Sequence, residues 1–209
     1  MTTEAKPTPP PSQAPTKPRQ PASRPKPAAP PSALVVQQRL AALGYLPNDA
    51  ASGIWDVRTT HAVHAFQAWE GIARDGIVGP QTLAALEKAS RPTPAGNAGD
   101  RHVEVHREKG VTLLVERGRA VRAIHSSSGG GAYATPAGSY SIFRKELNSW
   151  SVPYREWLPY ASYFNGGIAF HGYPDVPAHP ASHGCVRLPN AEAPFAYSFM
   201  SIGTPVAVY

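Results

Sequence analysis

The chain has a single cysteine, Cys185, in the run Ser182-His183-Gly184-Cys185-Val186-Arg187, and His171-Gly172 lies 14 residues upstream. A thiol, an imidazole and a glycine that admits close backbone approach are what nucleophilic acyl transfer needs. A free thiol with a pKa of about 8.5 is only roughly 3% thiolate at pH 7, and lowering it to about 6 beside an imidazole would give roughly 90%. Such a thiolate would attack an amide or peptide carbonyl, with the backbone N–H groups of Gly184 and Cys185 available to hold the oxyanion. Two other readings use the same residues. A lone cysteine in a β-rich segment is often a small buried hydrophobe. Cys185 with His171, His179 and His183 also has the donor types of a zinc site. On spacing alone the inert thiol and the nucleophile stand level, with zinc behind both. One cysteine excludes an internal disulfide framework and any multi-thiolate zinc or iron–sulfur centre.

The elements that must position these residues come from a chain of 209 residues, of which 11 of the 24 prolines fall in residues 1–32. That segment has too little apolar surface to offset ordering entropy and reads as an extended, Pro-rich basic linker, disordered on its own. It also holds Lys6, Lys17, Arg19, Arg24 and Lys26 against Glu4, so +4 of the formal net charge of +6 sits in the tail. The remainder is near neutral, a poor match to a protein that clusters charge to read nucleic acid. No run of 18 apolar residues marks a membrane span. The start, MTTEAKPTPPP, shows no apolar signal-peptide core.

Residues 33–89 have helical periodicity. Ser32 is a candidate N-cap for a run through Leu34, Val35, Leu40 and Leu43 that Gly44 ends. Thr59 to Trp69 places Ala62, Val63, Phe66 and Trp69 on one face before Gly71, and Pro80 to Lys88 opens on a proline. Gly53-Ile54 to Thr59 and Gly76-Ile77 to Thr82 share Gly-Ile-x-x-x-x-Thr, 23 residues apart, which reads as duplicated helix-entry chemistry with Thr serving the first free N–H groups. Residues 90–99 are a second, breaker-rich linker. Residues 100–209 read as mostly β: Val103–His106, Thr112–Val115, a turn at Arg117-Gly118, a strand over 120–124 buried on both faces, Gly166–Phe170 and Thr204–Tyr209. Ser126–Gly131 reads as a flexible loop. One helix is expected from Asn190, as N-cap, to about Met200. The aromatic stretch Trp150, Tyr154, Trp157, Tyr160 and Tyr163 reads either as a groove lining or as a cover over the core.

Residues 34–89 resemble the three-helix peptidoglycan-binding domain through Gln38-Arg39-Leu40, Leu43-Gly44-Tyr45, Gly53-Ile54-Trp55, Ala65-Phe66-Gln67 and Asp75 to Leu83. In the first half Ser52, Asp56 and Val57 stand where that family usually has Asp, Gly and Pro. Residues 101–209 resemble the L,D-transpeptidase catalytic domain over essentially its full length. The resemblance rests on Ser182 to Leu188, on Thr135-Pro136-Ala137-Gly138-Ser139-Tyr140, on Tyr163 to Gly172 and on Pro180-Ala181-Ser182. The expected fold is therefore multidomain: a small all-α three-helix bundle followed by a mostly β, sandwich-like catalytic domain.

By this resemblance Cys185 is the nucleophile and His171 the general base, its ring oriented by the Gly172 carbonyl. His183 supports the site, and Gly184 with Cys185 supplies oxyanion N–H groups. Ser182 and Tyr163 stand at the substrate, and Arg187 contacts a substrate carboxylate or braces the loop. The implied reaction is attack on the third residue of a tetrapeptide stem, loss of D-Ala, and transfer to the side-chain amine of another stem, with no metal or other cofactor. The implied partners are peptidoglycan stem peptides and glycan, with carbapenem β-lactams as inhibitors of Cys185; no nucleic acid, membrane span or specific protein partner is implied. A carboxypeptidase that only hydrolyses and a non-catalytic wall-binding protein are the alternatives. The substrate lies outside the cytoplasmic membrane, so an extracytoplasmic location is expected, with an export signal that is not visible in this sequence.

Overall fold

The structure is a computed structural model that describes Met1 and residues 31–96 and 98–209. All but Met1 and the last two residues of the expected linker 1–32 lie outside the described residues. Helix α1 (Ala33–Leu43) begins at Ser32, whose hydroxyl accepts the Val35 N–H at 3.5 Å. Helix α2 (Val57–Glu70) begins at Asp56, whose carboxylate accepts the Thr59 N–H at 2.7 Å. Both end on glycines in left-handed conformation, Gly44 and Gly71. Helix α3 (Pro80–Lys88) carries its proline in the first turn.

The repeated Gly-Ile-x-x-x-x-Thr has a physical reason that differs from the expected threonine cap. Thr59 sits inside the helix, where Asp56 accepts both its N–H and its hydroxyl proton, and the hydroxyl oxygen accepts from a second partner. That partner is a buried glutamine. Gln37 accepts the Gly53 N–H at 2.7 Å and donates to the Ile54 carbonyl and the Thr59 hydroxyl. Gln67 repeats the pattern at Gly76, Ile77 and Thr82. Each repeat is thus a turn clamped by one buried amide whose donors and acceptor are satisfied.

Nine strands follow: β1 (Arg101–His106), β2 (Val111–Glu116), β3 (Arg119–His125), β4 (Gly138–Ser141), β5 (Arg144–Ser151), β6 (Glu156–Asn165), β7 (Ile168–Tyr173), β8 (Val186–Pro189) and β9 (Pro205–Val208). They form a five-stranded sheet ordered β3-β2-β1-β9-β4 and a four-stranded sheet ordered β5-β6-β7-β8. The β1–β9 and β7–β8 pairs are parallel, which leaves long connections to carry the site loops. Between the sheets lie Val105, Leu114, Ile124, Phe164, Phe170, Val186 and Met200. Truncating a fully buried ring such as Phe170 to alanine removes about 3–5 kcal/mol.

The other face of the five-stranded sheet is covered by the helices. Val111, Leu113, Val115, Ala120 and Ala123 share one apolar cluster with Leu40, Leu43 and Phe66. This is why β2 and β3 are apolar on both faces. Polar clasps reinforce the seam. Arg91, in the expected linker, donates to the Ala42 and Ala120 carbonyls at 2.7 and 3.1 Å. Glu192 binds Arg58 of α2 at 2.7 Å and Arg122 of β3 at 3.1 Å. Residues 31–209 accordingly form one compact unit. The last helix, α4, spans Ala193–Phe199 and starts after Glu192, not Asn190, because Pro194 occupies its first turn and Glu192 supplies the first carbonyl, to the Ala196 N–H. Among the described residues no helix is long and apolar enough to cross a membrane.

Candidate active site

The parallel register of β7 and β8 sets His171 beside Arg187 and Phe170 beside Val186. Side chains alternate across a strand, so Phe170, Val186 and Leu188 enter the core while His171 and Arg187 take the opposite face. Cys185, the residue before β8, joins that face. Both His171 and Cys185 line a pocket of about 620 Å³ whose far wall is the β5–β6 hairpin with Trp150, Tyr154 and Glu156.

His171 is buried, and its Nδ1 lies 2.9 Å from the Gly172 carbonyl oxygen. A carbonyl only accepts, so Nδ1 carries the proton and Nε2 presents a lone pair. Burial first, and the Arg187 charge, bring the imidazole pKa down to about 4 despite the opposing Gly172 bond, so the ring is neutral at pH 7. Gly172 is itself enclosed: a Cβ there would sit 2.7 Å from Asn190 Oδ1 and 3.1 Å from Ala193.

The thiol differs from the sequence-based expectation. Burial pushes the Cys185 pKa up, and the Glu156 charge adds to this; the Ala169 N–H and Arg187 oppose it without prevailing. The Sγ–H points to the Gly167 carbonyl at 3.8 Å. The resting pair is therefore neutral thiol and neutral imidazole, because the site is drier than an exposed ion pair requires.

A dense hydrogen-bond frame holds the cysteine loop. The Ser182 hydroxyl donates to the Cys185 carbonyl at 2.5 Å and accepts the Gly184 N–H at 3.1 Å. This differs from the expected oxyanion role of Gly184, while Ser182 also lines the pocket. Ser182 braces the loop with its hydroxyl, and the Gly184 N–H is already engaged. No backbone hydrogen bond occupies the Cys185 N–H among the described residues. The Thr135 hydroxyl accepts from the Gly129 N–H at 2.9 Å and donates to the Gly184 carbonyl at 2.7 Å. Ser126–Gly131, expected to be flexible, is buried through Gly129 and pairs with the loop: Ser127 exchanges backbone bonds with Arg187, and Gly130 donates to Ser182. A Cβ on Gly129 would collide with the Tyr133 carbonyl and lie 2.8 Å from Gly184 Cα. The run of small residues is there for close approach.

The connection from β7 to the loop is tied to the helices. Arg74 donates to the Ala178 carbonyl at 3.0 Å and to His125 Nδ1 at 2.5 Å, and His125 Nε2 donates to the Val176 carbonyl at 2.8 Å. His179 is exposed on this connection and does not line the pocket. His183 is exposed at the pocket rim, stacked on Tyr154 at 4.5 Å and met edge-on by Tyr133 at 4.8 Å. Among the described residues no group of three His, Cys, Asp or Glu side chains could hold a metal.

Tyr163, expected at the substrate, is buried beneath Arg144, whose guanidinium lies 3.8 Å over its ring, and its hydroxyl meets Ser149 at 2.8 Å. Arg144 lines the pocket beside it, and sequence spacing gave no sign of Arg144. Arg187 lies over the Tyr173 ring at 4.0 Å, donates to the Ala181 carbonyl and also lines the pocket. It thus braces the loop and faces the cavity. Within the aromatic stretch, Trp150 and Tyr154 are exposed groove residues, and Tyr163 is buried but also lines the pocket.

A two-sheet domain with a thiol–imidazole pocket, fused to a three-helix module, defines the class of an L,D-transpeptidase with a peptidoglycan-binding module. The family model described as "L,D-transpeptidase catalytic domain" (YkuD) matches residues 100–208, and that of a putative peptidoglycan binding domain matches residues 31–86. The chain belongs to the L,D-transpeptidase family and is a peptidoglycan L,D-transpeptidase. It is similar to the crystal structure of an L,D-transpeptidase (residues 123-326) from Xylanimonas cellulosilytica, with 37% identity and a TM-score of 0.77 over 92% of this chain and 100% of that one. An L,D-transpeptidase from Stackebrandtia nassauensis has 29% identity and a TM-score of 0.55 over 84% of this chain and 89% of that one. Comparison with curated proteins gives no match. The two modules place the working context of the chain at the cell wall.

The buried histidines make the fold acid-sensitive. His125 is held at about 3 by burial and by Arg74, and His171 at about 4. Unfolded histidine titrates near 6.5, so between that pH and the folded values the unfolded chain binds more protons. Stability is fully present above about 6.5 and falls as pH drops toward 4. Differential scanning calorimetry from pH 7 to pH 4 should show a falling midpoint; a constant midpoint would contradict these assignments.

Proposed function

We propose that the transfer runs through a Cys185 acyl-enzyme with His171 as the proton carrier. One observation supports this most: the Gly172 carbonyl fixes the Nδ1–H tautomer and leaves a basic Nε2 in the pocket that holds the thiol. As the sulfur attacks the carbonyl of the third stem residue, the thiol proton passes to Nε2. The oxyanion forms against the Cys185 N–H, a backbone donor that no hydrogen bond occupies among the described residues. Collapse breaks the C–N bond, and Nε2 returns its proton to the departing D-Ala amine. In the second half an acceptor amine attacks the thioester, gives a proton through Nε2, and the thiol reforms. Gly184 shapes the loop, His183 borders the pocket between its tyrosines, and Arg187 with Arg144 offers positive charge to the carboxylates of the stem. Ser182 keeps Gly184 and Cys185 in place. The substrate puts the working protein outside the cytoplasmic membrane, with residues 1–32 as spacer, 33–89 as wall-binding module, 90–99 as connector and 100–209 as catalytic domain.

Carbapenems should react at the same atom. Sulfur attack opens the four-membered ring, the C–N bond breaks and the ring nitrogen takes the proton, so the adduct has the full mass of the drug. Intact-protein and peptide mass spectrometry should find one drug mass on the Cys185 peptide. An adduct elsewhere, or none, would overturn the assignment.

A further inference from the structure

Glu156 opens β6 opposite Ser151 and lines the pocket that holds Cys185. It is partly buried, and among the described residues it has no ion-pair or hydrogen-bond partner. Four other glutamates are paired: Glu104 with His102 and His106, Glu116 with Arg101, Glu146 with Arg144, and Glu192 with Arg58 and Arg122; Glu70, Glu87 and Glu108, also without an ion pair among the described residues, are exposed. The pocket's own guanidiniums have other contacts, Arg187 on Tyr173 and Ala181 and Arg144 on Tyr163 and Glu146. The Glu156 charge works against ionisation of the thiol. It therefore hinders the first half of the reaction and can help only where positive charge enters the pocket. Both stems carry a side-chain amine at the third position, but only the acceptor's ammonium has to come up to the thioester, and it does so in the second half.

We propose that Glu156 is the specificity-determining residue for the acceptor, binding its ammonium beside the Cys185 thioester. This rests on the acyl-enzyme reading above. A carboxylate–ammonium hydrogen bond is among the stronger polar contacts, and more so in a pocket walled by Trp150 and Tyr154 than in open water. The held ammonium loses one proton to water. The amine then forms the C–N bond as the C–S bond breaks, its second proton passes to His171 Nε2, and that proton ends on the Cys185 thiolate. Water, which carries no charge, makes only the weaker hydrogen bond to Glu156, so the carboxylate favours transfer over hydrolysis.

The test compares the full chain with Glu156→Gln and Glu156→Asp on purified disaccharide-tetrapeptide, and reads the ratio of cross-linked dimer to hydrolysed tripeptide by mass spectrometry. Losing a charge-assisted contact should lower that ratio about tenfold in Glu156→Gln, with partial recovery in Glu156→Asp. In parallel, alkylation of Cys185 by iodoacetamide at pH 8 should be faster in Glu156→Gln, because a charge that disfavours the thiolate is gone. A merely structural role would not slow transfer and speed alkylation together. An unchanged dimer-to-tripeptide ratio overturns the proposal while leaving the cysteine chemistry standing. A native chain that releases no D-Ala removes both.

Discussion

Cys185→Ala should lose transfer by at least about 10⁴-fold, with no acyl-enzyme detectable. Removing the nucleophile of a covalent mechanism removes the step itself, and what survives comes from binding and the oxyanion donor. A 10⁴-fold loss corresponds to about 5.4 kcal/mol of transition-state stabilisation. The fold should be undisturbed, because the sulfur makes only weak contacts with the Gly167 carbonyl and the Ala169 N–H, and Cys185 is not among the core residues. Calorimetry of the variant checks that point, and dimer formation from a tetrapeptide substrate measures the loss. A variant retaining more than a hundredth of native transfer would mean that another group performs the attack.

The second large effect belongs to His171, and its signature is in pH. In the native chain the imidazole is neutral above about 4 and the thiol is held above its ordinary range, so the base is ready across neutral pH while the thiolate is scarce. Acylation should fall on the acid side as His171 protonates and stay nearly flat from about pH 6 to pH 8. His171→Gln should cost about 10²–10⁴-fold at pH 7, the usual contribution of a positioned general base. Its residual rate should climb roughly tenfold per pH unit through pH 8, because attack must then wait for thiol ionisation in solvent. Carbapenem acylation followed by stopped-flow absorbance gives both profiles. Parallel native and variant profiles would mean that His171 does not carry the proton.

What was legible in the sequence follows from how local each signal is. Ser32, Gly44, Gly71 and Pro80 act on their nearest neighbours, so the helices of the first module could be bounded from residue types. The parallel pairing that brings His171 next to Arg187 joins segments 16 residues apart, and only the motif resemblance pointed to it. Ser127 and Gly129 were illegible in a different way. Their small side chains read as loop, yet they are small because the cysteine loop passes close by. Arg144 and Glu156 carry no motif, and they reach the pocket because the long β5–β6 hairpin folds over it. The thiol's ionisation was misread because spacing shows which groups are near but not how dry the site is. Burial outweighs Arg187 at Cys185 and the Gly172 bond at His171.

The most direct test is a mass-spectrometric time course of the purified chain with disaccharide-tetrapeptide, run beside Cys185→Ala. An acyl-enzyme on Cys185, loss of one D-Ala per event and a growing dimer joined between third-position residues is the expected result. A dimer formed equally by Cys185→Ala, or by the native chain with no acyl-enzyme at Cys185, would contradict cysteine-based transfer.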